Sequence, residues 1–304
     1  MLKKVTITNY LGNSVEYIFQ GASIDDQSGL LITEIEGLGP PKADINMTKL
    51  ATSDGGIYNS GRVDMRNIVI KGIFTYATTI EEARLSSYKF FPIGKQITFQ
   101  IETDNRIGYA TGYVESNEPD IFSDLEEMQV SVLCEDPFFT DKNGETEQVF
   151  SNIEPLFEFV YENQGHNPVT EMGQYIKYRQ NIVVYSGDSE AGCVFDFHAI
   201  GEVRNVTFYN LRTNEQIYID TTKLQQKTGA GFGAGDSIII TTIRGKKSVY
   251  LLRNGVYTNI LNIMSKNTTW PQLAKGENIF SYTCDYGEEN LYIYVRVTAR
   301  YEGV

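Results

Sequence analysis

Apolar and polar residues alternate with a period of two along much of this chain, and clusters of Gly, Asn, Asp and Pro break the alternation at short intervals. That combination predicts strands joined by turns. The last seventy residues show it most clearly. Gly235-Asp236 leads into the run Ser237-Ile238-Ile239-Ile240-Thr241-Thr242, and Lys247-Ser248-Val249-Tyr250-Leu251 follows. Asn254-Gly255 then marks a tight hairpin. Trp270-Pro271-Gln272-Leu273 reads as a loop with a buried aromatic, and Gly276-Glu277-Asn278 as the turn into another strand. The candidate strands of this half are Leu156–Tyr161, Gln180–Tyr185, Cys193–Ala199, Val206–Asn210, Gln216–Ile219, Ser237–Thr242, Ser248–Leu252, Asn278–Thr283 and Leu291–Ala299. Their spacing suits a β-sandwich.

The first half has a different texture. Residues 1–20 read as two short strands around Leu11-Gly12-Asn13-Ser14, and Gly29–Ile35 as a third. Gly37-Leu38-Gly39-Pro40-Pro41 ends regular structure, because proline lacks a donor and restricts its neighbour. From there to about Arg66 the chain is polar and Gly-rich, and it reads as a long loop. Loops of that length are usually functional or ordered by a partner. Arg66–Phe74 is a strong strand. Thr79–Phe91 is the one helix expected: Thr79 fits the N-cap, Glu82 completes a capping box, and Pro92 stops it. Ile80, Ala83, Tyr88 and Phe91 follow helical spacing on it. Strands return at Gln96–Ile101, Ile107–Val114 and Glu127–Cys134, and the unit closes at Cys134-Glu135-Asp136-Pro137-Phe138-Phe139. The reading divides the chain into an N-terminal domain (1–140), a polar linker (141–152) and a C-terminal sandwich domain (153–304). The two strand-rich halves show no sequence repeat.

Composition narrows the function. The formal charge is −13 over 304 residues, which opposes the basic face a nonspecific nucleic-acid binder needs and disfavours anionic membranes. Arg244, Lys246 and Lys247 form a short basic cluster that reads as a solvated turn. No apolar run approaches the ~18 residues of a membrane span. The opening Met1–Asn9 lacks an apolar stretch long enough for a signal peptide and reads as a first strand, so use without secretion is expected. Three scattered cysteines, Cys134, Cys193 and Cys284, favour free buried thiols. Twenty Tyr and sixteen Phe suit strands, protein interfaces or sugar platforms.

Catalytic patterns are sparse. Asp196 and His198 share a strand face by period two, but no third group converges by sequence; His166 reads as a turn residue. Gly229–Asp236 has the glycines of a phosphate loop but leads into a strand rather than a helix. The acidic pairs Asp25-Asp26, Glu126-Glu127 and Glu288-Glu289 put adjacent carboxylates on opposite strand faces, the wrong arrangement for a glycosidase pair. Neither zinc nor EF-hand spacing occurs, so no cofactor or metal is expected. Trp270, with Tyr282, Tyr286, Tyr292 and Tyr294, could stack on a sugar. Of these, Trp270 and Tyr286 are the glycan-contact candidates.

Three segments in order carry a resemblance. They are Gly37-Leu38-Gly39-Pro40-Pro41 with Val63–Gly72 after the polar loop, Cys134-Glu135-Asp136-Pro137-Phe138-Phe139 mid-chain, and Gly235–Ile240 with Trp270–Leu273 and Gly276-Glu277-Asn278 in the second half. Together they span nearly the whole chain and resemble the distal tail (Dit) proteins of long-tailed bacteriophages and related tail-like particles. The resemblance implies a mainly β protein: an N-terminal split-barrel-like β domain with one α-helix, followed by a C-terminal galectin-like β-sandwich. It implies a homohexameric ring at the tail tip, part of the virion and assembled in the bacterial cytoplasm. The ring's partners would be the tail tube protein, a tail-tip protein and receptor-binding or baseplate proteins. Assembly contacts are expected on the 38–66 segment and the helix, at Pro40, Tyr58, Arg62, Arg66, Tyr88 and Phe91. The acidic charge, multiplied by six, suits a collar or a channel that holds no DNA. Two other classes compete: a carbohydrate-binding module attaching a particle to a cell wall, and a cell-wall hydrolase, which lacks any local signature.

Overall fold

A computed structural model of the chain describes residues 1–19, 30–50, 54–74, 79–120, 127–155, 173–177 and 180–304. The expected strand Leu156–Tyr161, His166 and the pair Asp25-Asp26 lie outside these residues, as do Gly29 and Glu126. The described residues are mainly β and divide into two units. The first holds Met1–Asn143 together with Arg300–Val304, and the second holds Gly144–Ala299. Placing the last five residues in the first unit was not foreseen from sequence.

In the first unit the strands are β1 (Leu2–Asn9), β2 (Ser14–Ile18), β3 (Leu30–Glu36), β4 (Ala43–Lys49), β5 (Gly56–Val63) and β6 (Arg66–Phe74). After helix α1 (Ile80–Phe90) come β7 (Gln96–Thr103), β8 (Ile107–Pro119), β9 (Glu127–Cys134) and β10 (Phe139–Val149), whose later residues fall in the second unit. Antiparallel pairing runs β2-β1-β7-β8-β9-β6-β3. β8 serves three neighbours: its first half pairs with β7 and, at Tyr109, with Thr140 of β10, its second half pairs with β9, and a register shift falls between Val114 and Ser116. A bulge of this kind bends a strand from one sheet direction to another. The core is built from the inward positions of these strands, among them Val5, Ile7, Ile68, Phe99, Val130 and Val132.

Helix α1 starts where the capping residue predicts, with Thr79 Oγ1 accepting from Glu82 N at 3.3 Å. Its buried face is narrower than expected. Ala83 and Ser87 face inward and Phe91 caps the end, while Tyr88 points out. Ser87 Oγ meets Met128 Sδ at 3.6 Å and accepts from Asn117 Nδ2 at 3.3 Å, which accounts for a serine on the inner face.

Three expectations need correction. The segment expected as a long loop over 38–66 is largely a hairpin, β4 paired with β5. The expected linker is strand β10, followed by β11 (Ser151–Pro155). Both segments are polar, but a strand's hydrogen bonds come from the backbone and do not require apolar side chains. The second unit, expected to be purely β, contains helix α2 (Thr221–Thr228). Asp220 Oδ1 accepts from Thr222 N at 3.1 Å and Lys223 N at 3.0 Å, and Gly229 closes the helix with φ of 80°.

The second unit continues with β12 (Gly173–Lys177), which pairs with β11. Next come β13 (Gln180–Tyr185), β14 (Ala191–Gly192), β15 (Val194–Ala199), β16 (Arg204–Asn210), β17 (Glu215–Ile219), β18 (Ser237–Thr241), β19 (Ser248–Arg253), β20 (Val256–Asn259), β21 (Gln272–Leu273), β22 (Gly276–Tyr286) and β23 (Leu291–Tyr301). One sheet runs β23-β15-β18-β19-β20 and the other β13-β22-β16-β17. The β19–β20 turn is Asn254-Gly255, with φ of 51° and 77°, the left-handed pair that matches strand twist. Between the sheets lies an aromatic core. Phe195 and Phe197 of β15 sit edge-on to Phe208 of β16 at 4.9 and 5.4 Å, and Phe280 of β22 stacks on Phe208 at 5.0 Å. Edge and offset contacts of this kind add to burial.

Candidate assembly surface

The hairpin β4–β5 is exposed along its entire length, on both faces. Its register pairs Ile45 with Gly61 and Met47 with Tyr58, with a shift between Asn46 and Met47. Gly61 leaves room for its neighbours: a Cβ there would lie 2.9 Å from Tyr58 Oη and 3.2 Å from Ile45 Cδ1. Ile45, Met47, Ile57 and Tyr58 are all exposed, Tyr58 and Met47 at 60%. An isolated two-stranded ribbon is marginally stable in water, and apolar side chains of this size on both of its strands are what an interface presents. Arg62 pairs with Asp44 at 3.5 Å, and Asn59 Nδ2 donates to Thr48 Oγ1 at 2.6 Å, so local polar contacts hold the ribbon's shape.

Of the six expected assembly residues, four are available to a partner: Pro40, Tyr58, Arg62 and Tyr88 are exposed. The other two are not. Phe91 is 2% exposed and belongs to the core, its ring 4.8 Å from Phe90. Arg66 is 3% exposed. It donates from Nε to Pro137 O at 2.7 Å, from Nη1 to Gly39 O at 2.7 Å and to Gly37 O, and from Nη2 to Glu302 O at 2.6 Å. Its guanidinium also lies 4.2 Å over the Phe139 ring. Burial lowers its pKa, with Cys134 and Asp136 acting in the opposite direction.

Arg66 thus explains two of the sequence signatures. The glycines of Gly37-Leu38-Gly39 supply carbonyls, and Gly37 has φ of +86° with Asn67 O only 2.1 Å from where a Cβ would sit. In the Cys-Glu-Asp-Pro-Phe-Phe stretch, Cys134 is core, Pro137 supplies a carbonyl, and Phe139 lies beneath the guanidinium. Asp136 Oδ1 turns back to accept from Phe138 N at 3.1 Å and also binds Arg300, whose guanidinium lies 4.5 Å over Phe138. Nearby, Val304 N donates to Leu38 O at 3.2 Å, and Arg106 Nη1 to Gly303 O at 3.1 Å. Segment 300–304 is therefore clamped by Arg66, Arg106 and Leu38.

The signatures of the second half are structural in the same sense. Asp236 binds Arg253 through both oxygens, at 2.7 and 2.6 Å, and accepts from Gly233 N at 2.9 Å, which pins the Gly-rich segment. Gln272 Nε2 donates to Thr242 O at 2.9 Å. Asn278, fully buried, donates to Ala274 O at 2.7 Å and accepts from Ala274 N at 3.0 Å.

The glycan candidates are not brought together as a platform. Trp270 is half-buried with Lys247 Nζ 5.3 Å above its ring, and Tyr286 is exposed beneath Arg204 at 5.4 Å. Tyr282 is core. Among the described residues no group of three His, Cys, Asp or Glu side chains is placed to hold a metal ion, and no helix is long and apolar enough to cross a membrane. A groove of about 380 Å³ in the first unit is lined by Glu34, Glu118, Asp120 and Glu127, with Lys71 tied to Glu34 at 3.0 Å. The three thiols are free; Cys134 and Cys193 are buried as expected, whereas Cys284 is only partly buried, and desolvation pushes Cys134 up to about 11 and Cys193 and Cys284 up to about 12.

No protein-family model and no curated protein matches the chain. Solved structures do. The Dit (gp 19.1) protein of phage SPP1, described as a paradigm of the hub adsorption apparatus in phages infecting Gram-positive bacteria, superposes with a TM-score of 0.63 at 12% identity, covering 97% of this chain and 98% of that one. The phage P2 baseplate in its activated conformation with Ca gives a TM-score of 0.46 at 10% identity over the full length of both chains, and the corresponding Sr structure gives 0.45 at 10% identity. The chain thus shares the fold of that Dit protein over 97% of its length, and it is mainly β, as the three signatures implied.

Proposed function

We propose that the chain is a structural protein of a phage tail tip. In this reading it forms a homohexameric ring that joins the tail tube to tail-tip or baseplate components and serves as the hub for receptor-binding proteins. The observation that carries the reading is the likeness to SPP1 Dit over 97% of this chain. The exposed hairpin β4–β5 supports it. Ile45, Met47 and Tyr58 offer apolar surface on an arm with too little core to stand alone. Exposed Tyr88 on α1 and Pro40 before β4 extend the expected contact. In this reading the first unit builds the ring, and the second is a galectin-like sandwich.

The test is the mass of the full chain in solution by light scattering or native mass spectrometry, over a range of concentrations. A mass of six chains supports the ring. Tyr58→Asp combined with Met47→Asp should reduce the assembly to monomers without changing the thermal midpoint, because both side chains are exposed. Assembly unchanged by the double substitution would remove the hairpin from the interface, and a monomer at every concentration would overturn self-assembly of the isolated protein.

A further inference from the structure

Two apolar surfaces of the first unit stay uncovered by the described residues of a single copy. One is the hairpin β4–β5, with Ile45, Met47, Ile57 and Tyr58 exposed. The other lies where β1 ends and β7 begins. Tyr10 and Leu11 sit in the turn after β1, Ile93 and Lys95 in the turn before β7, and Tyr113 stands on β8 opposite Gln96. Leu11 is 64% exposed, Ile93 60%, Tyr10 48% and Tyr113 42%. These groups are neighbours. Asn9 pairs with Ile97, Gly94 N donates to Val114 O at 2.8 Å, Val114 N donates to Lys95 O at 3.1 Å, and Lys95 Nζ lies 5.7 Å from the centre of the Tyr10 ring. Large apolar side chains gathered at one place, unlike scattered ones, mark an interaction surface.

Strand register fixes where the two surfaces lie. Asn9, Ile97, Gly112, Cys134 and Arg66 form one cross-strand row through β1, β7, β8, β9 and β6. Tyr10, Gln96 and Tyr113 are the next residues on one side of that row. The hairpin leaves from the other side, through Met65 before Arg66. Its eight-residue strand β5 extends about 26 Å at ~3.3 Å per residue. In one copy the arm therefore points away from the patch, and both remain exposed. Two unlike surfaces placed in this way make a head-to-tail contact, which repeats from copy to copy and closes into a ring or runs on as a filament.

Charge selects a second copy of the chain as the occupant. At a formal charge of −13 copies repel one another, so contact between them needs surfaces without net negative charge. Residues 42–64 balance Lys42, Lys49 and Arg62 against Asp44, Asp54 and Asp64. The patch segments 9–13, 92–96 and 112–114 hold Lys95 and no carboxylate. Asp54, exposed towards the far end of the hairpin, offers Lys95 the opposite charge.

We infer that the β4–β5 hairpin of one copy seats on the patch of Tyr10, Leu11, Ile93 and Tyr113 of the next, with Asp54 beside Lys95. The inference rests on the ring reading and deepens it, by naming the surface that receives the arm and the head-to-tail sense of the contact.

The test is native mass spectrometry of the full chain over a range of concentrations. Leu11→Asp and Ile93→Asp each damage the patch and leave the arm whole. Each should raise the concentration of half-assembly tenfold or more, the effect of losing one buried apolar side chain. The thermal midpoint should hold, because both side chains are exposed, and either variant serves if the other folds poorly. Lys95→Asp alone and Asp54→Lys alone should each weaken assembly severalfold, and the two together in one chain should recover it. If the unaltered chain gives six copies and both patch variants assemble equally well, the inference falls and the ring stands. Failure of the charge-exchanged chain to recover overturns the pairing in the same way. Open chains of many copies that the patch variants abolish keep the contact and overturn the closed ring. An unaltered chain that is monomeric at every concentration overturns self-assembly and this contact together.

Discussion

Replacing Arg66 by methionine keeps most of the side chain's volume and removes the donor that four backbone carbonyls share. Those carbonyls belong to Gly37, Gly39, Pro137 and Glu302. Hydrogen bonds to a charged donor contribute about 1.5–3 kcal/mol each, but one guanidinium serves all four and its own desolvation offsets part of the gain. Removing one side of a buried charged interaction costs about 3–5 kcal/mol in comparable cases, and that is the loss expected here. Total domain stability is only about 5–15 kcal/mol, so the first unit should unfold at markedly lower denaturant. Arg66→Lys, which keeps the charge but not the fork, should lose roughly 2–3 kcal/mol. Two probes separate the units. The single tryptophan, Trp270, reports the second unit, while far-UV circular dichroism in urea reports both. The dichroism transition belonging to the first unit should shift, and the shift should rank Met above Lys. A loss under about 1 kcal/mol for Arg66→Met, the level of an exposed ion pair, would refute the clamp.

Gly37→Ala forces a side chain into a left-handed backbone position and onto Asn67 O, and should destabilise by about 1–3 kcal/mol in the same urea assay. The three thiols are raised from 9.0 to about 11 and 12, and the two buried ones, Cys134 and Cys193, should react with a thiol reagent at pH 8 only as the protein unfolds. Because their folded values lie above the unfolded one, stability should hold below pH 9 and fall as pH rises from there towards 11–12, where only the unfolded chain has released its protons. Denaturation midpoints between pH 7 and 11 check the sign, and cysteine-to-alanine variants should flatten the slope.

Strands with one buried face were legible because alternation is a direct record of the pleat. The boundaries read for Glu127–Cys134 and Gln180–Tyr185 coincide with β9 and β13. Helix α1 was legible from Thr79 and Glu82. Hairpin β4–β5 was not, because both of its faces meet solvent and no alternation is imposed. Helix α2 buries only Thr221 and Leu224, too little to print a helical period. Arg66 looked like a surface residue because its acceptors are backbone oxygens far away in sequence, which no side-chain motif records. The Asp196–His198 pair was visible as one strand face, but its neighbours Tyr292, Tyr294 and Arg296 follow from cross-strand register, which a single chain does not display.

The return of Arg300–Val304 to the first unit makes the second unit an insertion between Asn143 and Arg300. On the ribosome, Arg66 is made long before Glu302, 236 residues later. At roughly 5–20 residues per second the clamp stays open for about 10–50 s while the whole sandwich is synthesised. The first unit is thus completed last. If it is the unit that assembles, copies of the chain become competent to join one another only after Glu302 has been made, which protects shorter nascent chains from premature association.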